Sequence, residues 1–324
     1  MTNRSGATPH GAAGLLAAVV FLALPWVSVA GKPVASVAQQ SPAATTLMGV
    51  YFDGPQRGWA VGLGGTIIRT TDGGKKWKQV PSGTTSLLTA VAFRTAKRGW
   101  AVGANGTILV TSDGGEHWSR QMSGTQFTLY ALAMHSDQVG WIVGERGVVL
   151  HTTDGGVHWA EQQSQANANL YGVVFHDDRR GVAVGALGTI LTTDNGGELW
   201  LARETKSAGT FFDVTFSDSE NGWVVGNAGV MLQSPDGGQT WTDRTLTCTG
   251  SCTRVTDLLK IRFTDGRTGW VVGERGALYR TDDGGVTWEA EPSLGRSSLF
   301  GLSFGDPTHG WTVGENGALF AIRP

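Results

Sequence analysis

The sequence predicts an all-β fold: a seven-bladed β-propeller of four-stranded antiparallel blades, its ring closed by an N-terminal strand that completes the last blade. Three observations predict it. The element Gly-Trp-x-Val-Gly recurs at Trp59, Trp100, Trp141, Val182, Trp223, Trp270 and Trp311, at intervals of 41 residues broken once by an interval of 47. A Gly-Gly turn closed by tryptophan recurs at Trp77, Trp118, Trp159, Trp200, Trp241 and Trp288 with the same intervals. The seventh copy of the first element has no such turn after it before Pro324. A fixed period of this size marks a repeated supersecondary unit rather than separate domains.

One repeat shows the strands. Leu88 to Phe93 alternates and is apolar, strand A. Gly99 to Gly103 is strand B, and Ala104-Asn105 between Gly103 and Gly106 reads as a two-residue hairpin turn. Thr107 to Thr111 is strand C, and Trp118 to Met122, after the Asp113-Gly114-Gly115 turn, is strand D. The last copy stops after strand C. Counting back 41 residues from Trp77 reaches Ser36, inside the alternating segment Pro33 to Ala38, which is predicted to supply the missing strand and leave no sheet edge open.

Composition narrows the function. The formal net charge is −2 with no run of like charges, which excludes the basic stripe of a nucleic-acid binder. The 13 tryptophans are all accounted for by the two repeated elements and Trp26. Residues 1–30 stand apart: Arg4, an apolar stretch from Gly11 to Leu24, Pro25, and small residues Ser28 and Ala30 read as a secretory signal peptide cleaved after Ala30, the alternative being an uncleaved anchor. Residues 31–324 form the propeller. Export permits a disulfide between Cys248 and Cys252, with free thiols on a loop as the alternative.

The six turns fit Ser/Thr-x-Asp-x-Gly-x-x-Trp, with Asp72, Asp113, Asp154, Asn195, Asp236 and Asp283 at the acidic position. A short side chain there can accept hydrogen bonds from turn amides. The motif resembles the Asp box of bacterial-neuraminidase repeats. The whole run G-W-A-V-G-A-N-G-T-I-L-V-T-S-D-G-G-E-H-W at 99–118 looks most like the photosystem II stability/assembly factor family, over roughly residues 34–324. The resemblance implies a non-enzymatic, exported propeller that binds a protein client, such as a membrane-complex subunit, during assembly. It places such a protein in the thylakoid lumen of a photosynthetic host, and otherwise in the periplasm or outside the cell. Val182 and Asn195 depart from the pattern in the fourth copy.

The rival class is a sialidase-like glycoside hydrolase, which needs an arginine cluster, a nucleophilic tyrosine and an acid/base carboxylate. Tyr130 and Tyr171 share a strand-A column with Phe212 and Phe300 and read as packing residues; Tyr51 and Tyr279 are the other tyrosines. No catalytic, cofactor or metal residue is assigned, and a monomer is expected.

Candidate partner contacts lie on the turns. Glu145-Arg146 and Glu274-Arg275 occupy B–C turns, on the same face as the D–A linkers and the cysteine loop. Arg57, Arg98, Arg180 and Arg267 stand at or near A–B turns on the opposite face. In the inner-strand column Gly49, Ala90, Ala131, Gly172, Asp213, Lys260 and Gly301, the pair Asp213 and Lys260 is expected to form an ion pair beside the central channel, with Arg262 one step along.

Overall fold

The computed structural model describes residues 34–246 and 255–324; residues 1–33, with the proposed signal peptide, and 247–254, with Cys248 and Cys252, lie outside the described residues. The chain forms seven four-stranded antiparallel sheets. A short strand, β1 (Ala35–Ala38), comes first. Blade one follows, with strands A to D at Leu47–Asp53, Arg57–Gly62, Ile67–Thr70 and Lys78–Val80. Five more blades repeat that order, and blade seven takes strands A to C from Leu299–Asp306, His309–Gly314 and Leu319–Arg323.

Strand A is innermost, and its large apolar residues pack between blades. The repeated Gly-Trp-x-Val-Gly element explains how. In blade two Phe93 pairs with Gly99 across the A–B hairpin. A Cβ on Gly99 would lie 2.6 Å from the Phe93 ring, so glycine makes room for the ring to lie flat over the strand. The other face of that ring meets Trp59 of blade one, with centroids 3.6 Å apart and planes 14° from parallel. Trp141 stacks on Phe175 in the same way at 3.5 Å. The closing glycine is needed for another reason. A Cβ on Gly103 would run into the Leu87 carbonyl, where the D–A linker crosses close. That carbonyl accepts the Ala104 N–H at 2.8 Å.

The ring closes as the sequence predicts. β1 pairs antiparallel with the third strand of blade seven, Ala35 opposite Arg323 through Ala38 opposite Phe320. Across the same seam Trp311 of blade seven stacks on Phe52 of blade one, centroids 3.5 Å apart and planes 2° from parallel. Gln39, just past β1, reaches the first Gly-Gly turn of blade one, accepting the Trp77 indole N–H at 3.2 Å.

Two expectations need correction. The B–C hairpin is not a two-residue turn: Gly103 pairs with Thr107, leaving Ala104, Asn105 and Gly106 in a three-residue loop. Asn105 and Gly106 both have positive φ, at 55° and 57°, so the left-handed positions fall one residue later than the Ala-Asn reading put them. Strand D of blade two is also shorter than expected, Ser119–Gln121, because Trp118 turns inward to pack under the ring of Phe93, edge-on at 5.9 Å.

Removing residues 31–40 deletes β1 and Gln39 and exposes the last blade's edge. The expected result is a fall in melting temperature of more than about 10 °C, read by circular dichroism, from losing a strand's pairing and part of the closure.

Candidate functional site

The six Asp boxes share one bond pattern. In the first, Thr70 Oγ1 donates to Asp72 Oδ1 at 2.9 Å and accepts the Gly74 N–H at 3.0 Å, while Asp72 Oδ1 also accepts the Lys76 N–H at 2.9 Å. Asn195 plays the same part with its amide oxygen, accepting the Leu199 N–H at 3.0 Å. The Asn substitution therefore leaves the turn intact. The carboxylates are held low: the Lys76 amide lowers Asp72, and the His158 amide followed by its ring lowers Asp154 to about 2. Burial raises Asp236 and Asp283, but the Thr240 and Thr287 hydrogen bonds outweigh it and both end below the ordinary carboxylate range.

The boxes also join blades. Trp59 of blade one donates its indole N–H to the Gly114 carbonyl in the box of blade two at 3.0 Å, Trp141 to Gly196 at 2.9 Å, and Trp311 to Gly73 at 3.3 Å. A glutamine at the end of strand D adds a second tie. Gln121 donates to the Gly155 carbonyl and accepts from Trp159, and Gln162 donates to Gly196 and accepts from Trp200. Sequence reasoning missed this column, which runs Gln39, Val80, Gln121, Gln162, Arg203, Arg244 and Glu291. Where Val80 and Arg244 stand, the facing Trp118 and Trp288 keep buried indole N–H groups without a partner. Val182 is repaired locally. Phe216, deprived of a tryptophan, takes the edge of His176 at 4.3 Å. Trp241, which faces Arg203 where a glutamine would stand, donates its N–H to its own Gly238 carbonyl at 3.0 Å.

The channel pair is there and is a triad. Asp213, only 4% exposed, accepts Lys260 Nζ at 3.2 Å on Oδ1; its Oδ2 accepts Arg262 Nη1 at 2.6 Å and the Ile261 N–H at 3.1 Å. Burial raises the Asp213 carboxyl, and the two cations overcome that and hold it below the ordinary range. These side chains line a channel cavity of about 90 Å³.

The arginines divide by face. On the A–B side each is tied to its own structure: Arg57 to Asp53 at 2.6 Å, Arg98 to the Gly155 carbonyl at 3.0 Å, Arg180 to Asp177 at 2.8 Å, and Arg267 to the Asp282 carbonyl at 3.2 Å. On the B–C side, Arg146 and Arg275 have no ion pair among the described residues. Both stand at φ near +55°, the conformation that favours glycine or asparagine, as does Leu187, which is 81% exposed. Arg146 lies over the Phe127 ring, 5.3 Å from its centroid. Glu145 turns back to accept the Thr128 N–H at 3.2 Å, so it serves the backbone and not its neighbouring arginine.

The tyrosines sit in packing positions. Burial raises Tyr51, Tyr130 and Tyr279, the wrong direction for an activated phenolate. Tyr130 packs on Tyr171 at 4.9 Å, and Tyr171 on Phe212 at 5.9 Å, in an arc at the start of strand A. The Tyr171 hydroxyl accepts from Asn169 at 3.2 Å. Among the described residues no cluster of His, Cys, Asp and Glu could hold a metal ion, and no helix is long and apolar enough to cross a membrane.

Seven four-stranded blades with Asp boxes at the outer turns define the class: a seven-bladed Asp-box propeller. Within that class the chain belongs to the family described as photosynthesis system II assembly factor YCF48, whose profile matches residues 75–164, 157–247 and 204–292. Among solved structures, one described as "YCF48 bound to D1 peptide" aligns over 90% of this chain and 95% of its own at 21% identity, with a TM-score of 0.73. YCF48 from Cyanidioschyzon merolae aligns over 90% and 99% at 22% identity, TM-score 0.75. A streptogramin B lyase aligns equally well, over 90% and 97% with a TM-score of 0.76, at 11% identity. Likeness at these identities speaks for the fold alone. No curated protein matches the sequence.

The lowered box carboxylates carry a pH signature. Their folded values lie below the unfolded value of about 3.9, so their stabilisation is present above it and is lost as pH falls from about 4 toward 2. Asp154→Asn, which copies Asn195, is expected to fold and to shallow that acid loss. Guanidinium unfolding at pH 7 and pH 3 measures it.

Proposed function

We propose that this chain is an exported, non-catalytic scaffold that holds a membrane-protein client while a larger complex is assembled. Membership of the assembly-factor family across residues 75–292 carries the reading. Two observations support it. A propeller of the same architecture has been solved with a peptide of D1 bound. Tyr130, Tyr171 and Phe212 pack ring to ring, and burial pushes Tyr51, Tyr130 and Tyr279 up, away from an activated phenolate. Export rests on the sequence pattern of residues 1–30, and the membrane client on the family's role.

The client contact is assigned to the B–C face. The repeat varies there, and variation on a rigid scaffold is where binding is grafted. Arg146 and Arg275 make no ion pair among the described residues and project from turns whose backbone is fixed by the hairpin, so little order has to be gained on binding.

Reversing both charges, Arg146→Glu with Arg275→Glu, is expected to cut recovery of the cross-linked client from membrane fractions by at least about tenfold, because like charges across an interface cost several kcal/mol. Reversing Arg57 and Arg180 instead is expected to leave recovery unchanged. Equal loss in both pairs, or in neither, would count against the assignment. Turnover of fluorogenic sialosides that Tyr171→Phe abolishes would overturn the non-catalytic reading.

A further inference from the structure

The inner-strand column is Gly or Ala at Gly49, Ala90, Ala131, Gly172 and Gly301, and charged only at Asp213 and Lys260. The cavity that these strands enclose measures about 90 Å³. That is about three times the ~30 Å³ share of one liquid water, room for a carboxylate and its stem. Its titratable lining consists of Asp213, Lys260 and Arg262, two cations against one anion.

Asp213 has used both oxygens, on Lys260, Arg262 and the Ile261 amide. The cations have donors to spare. Lys260 has three N–H groups and gives one of them to Asp213. Arg262 gives Nη1 to Asp213 and to the Ile261 carbonyl, leaving Nε and Nη2 without a protein acceptor among the described residues. Both side chains are reachable, at 22% and 37% exposed. The remaining walls are largely apolar, among them Val50, Val91 and Leu302, and low-polarity walls strengthen the attraction for an anion.

The starts of strand A beside this floor carry aromatic rings. Met48 and Thr89 line the cavity and stand in the same strand-A column as Tyr130, Tyr171 and Phe212. Those three rings touch in series and are half-buried. An extended segment entering there meets aromatic faces first and the cations below. Stacking on such rings is tolerant of sequence, and the charge excess selects an acid.

We propose that the channel mouth binds a carboxylate-bearing peptide segment of a protein partner, with the carboxylate on Lys260 and Arg262 and an apolar side chain against Tyr130, Tyr171 and Phe212. The peptide source rests on the client-binding reading; the anion site stands on the cavity itself.

The test follows the Arg262 Nε–H resonance in ¹⁵N-labelled protein during titration with three probes. N-acetyl-phenylalanine carries a terminal carboxylate, acetyl-aspartyl-phenylalaninamide a side-chain carboxylate, and N-acetyl-phenylalaninamide none. A saturable shift is expected with at least one acid and not with the neutral amide, and the acid that binds more tightly identifies the terminal or the side-chain source. Lys260→Met is expected to weaken binding at least about tenfold, and Asp213→Asn, which removes the competing acid, to strengthen it. If neither acid differs from the amide on the unaltered protein, the proposal falls, whatever the variants do. Acid binding that persists undiminished in folded Lys260→Met also overturns it. Selective binding together with unchanged client recovery in the Arg146/Arg275 variant would retain the channel site and sink the B–C turn assignment instead.

Discussion

The fold depends on one contact: a tryptophan from strand B of one blade lying flat on the phenylalanine that ends strand A of the next. Trp59 on Phe93, Trp141 on Phe175 and Trp311 on Phe52 show it at 3.5 to 3.6 Å. Such a pair contributes about 0.5–1.5 kcal/mol beyond the area it buries. It also fixes where each blade sits against its neighbour, since the phenylalanine ring fits only over the bare backbone of the glycine behind it. The last of these stacks joins blade seven to blade one, so ring closure uses the same contact as the seams between blades one and two and blades three and four; elsewhere Met134 or Val182 replaces a ring, or the rings stand 5.8 to 6.3 Å apart.

Hydrogen bonds then lock what the stacks align. At three seams the box carbonyl of one blade accepts the indole of the blade before, from Trp59, Trp141 and Trp311, while the Trp100, Trp223 and Trp270 indoles stay unpaired among the described residues; where Gln39, Gln121 or Gln162 stands, the glutamine amide adds its own tie. Departures from the repeat are informative in two ways. Some are absorbed: Val182 is answered by His176, Arg203 in the glutamine column by the turned Trp241, and Asn195 replaces an aspartate with an equivalent oxygen. Others change the surface. Arg146, Leu187 and Arg275 sit in left-handed turns that would take glycine or asparagine more readily, and no ion pair explains the charges.

Much of the fold could be read from the sequence because its causes are local and repeated. The strand-A column, the box motif and the missing seventh turn each recur or fail at a fixed period, and β1 follows from counting. The glutamine column has the same period but was not legible, because its meaning depends on which blade's tryptophan faces it across a seam. The hairpin length was misread by one residue, since Gly103 can end either a two- or a three-residue loop and only the Thr107 pairing decides. Of the candidate site, Asp213 and Lys260 were visible as two odd residues in a small-residue column; that Arg262 completes a triad follows from geometry. The arginines Arg57, Arg98, Arg180 and Arg267 were visible as a basic group near the A–B turns; that Arg57 and Arg180 bond to acids and Arg98 and Arg267 to carbonyls follows from geometry.

The proposed separation puts the ring-building contacts on the Asp-box face and the partner on the B–C face. Hydrogen–deuterium exchange with and without the cross-linked client tests that separation directly. New protection is predicted in the B–C turns around Arg146, Leu187 and Arg275 and in the D–A linkers beside them, with the Asp boxes unchanged. Protection confined to the Asp-box and A–B turns would contradict it.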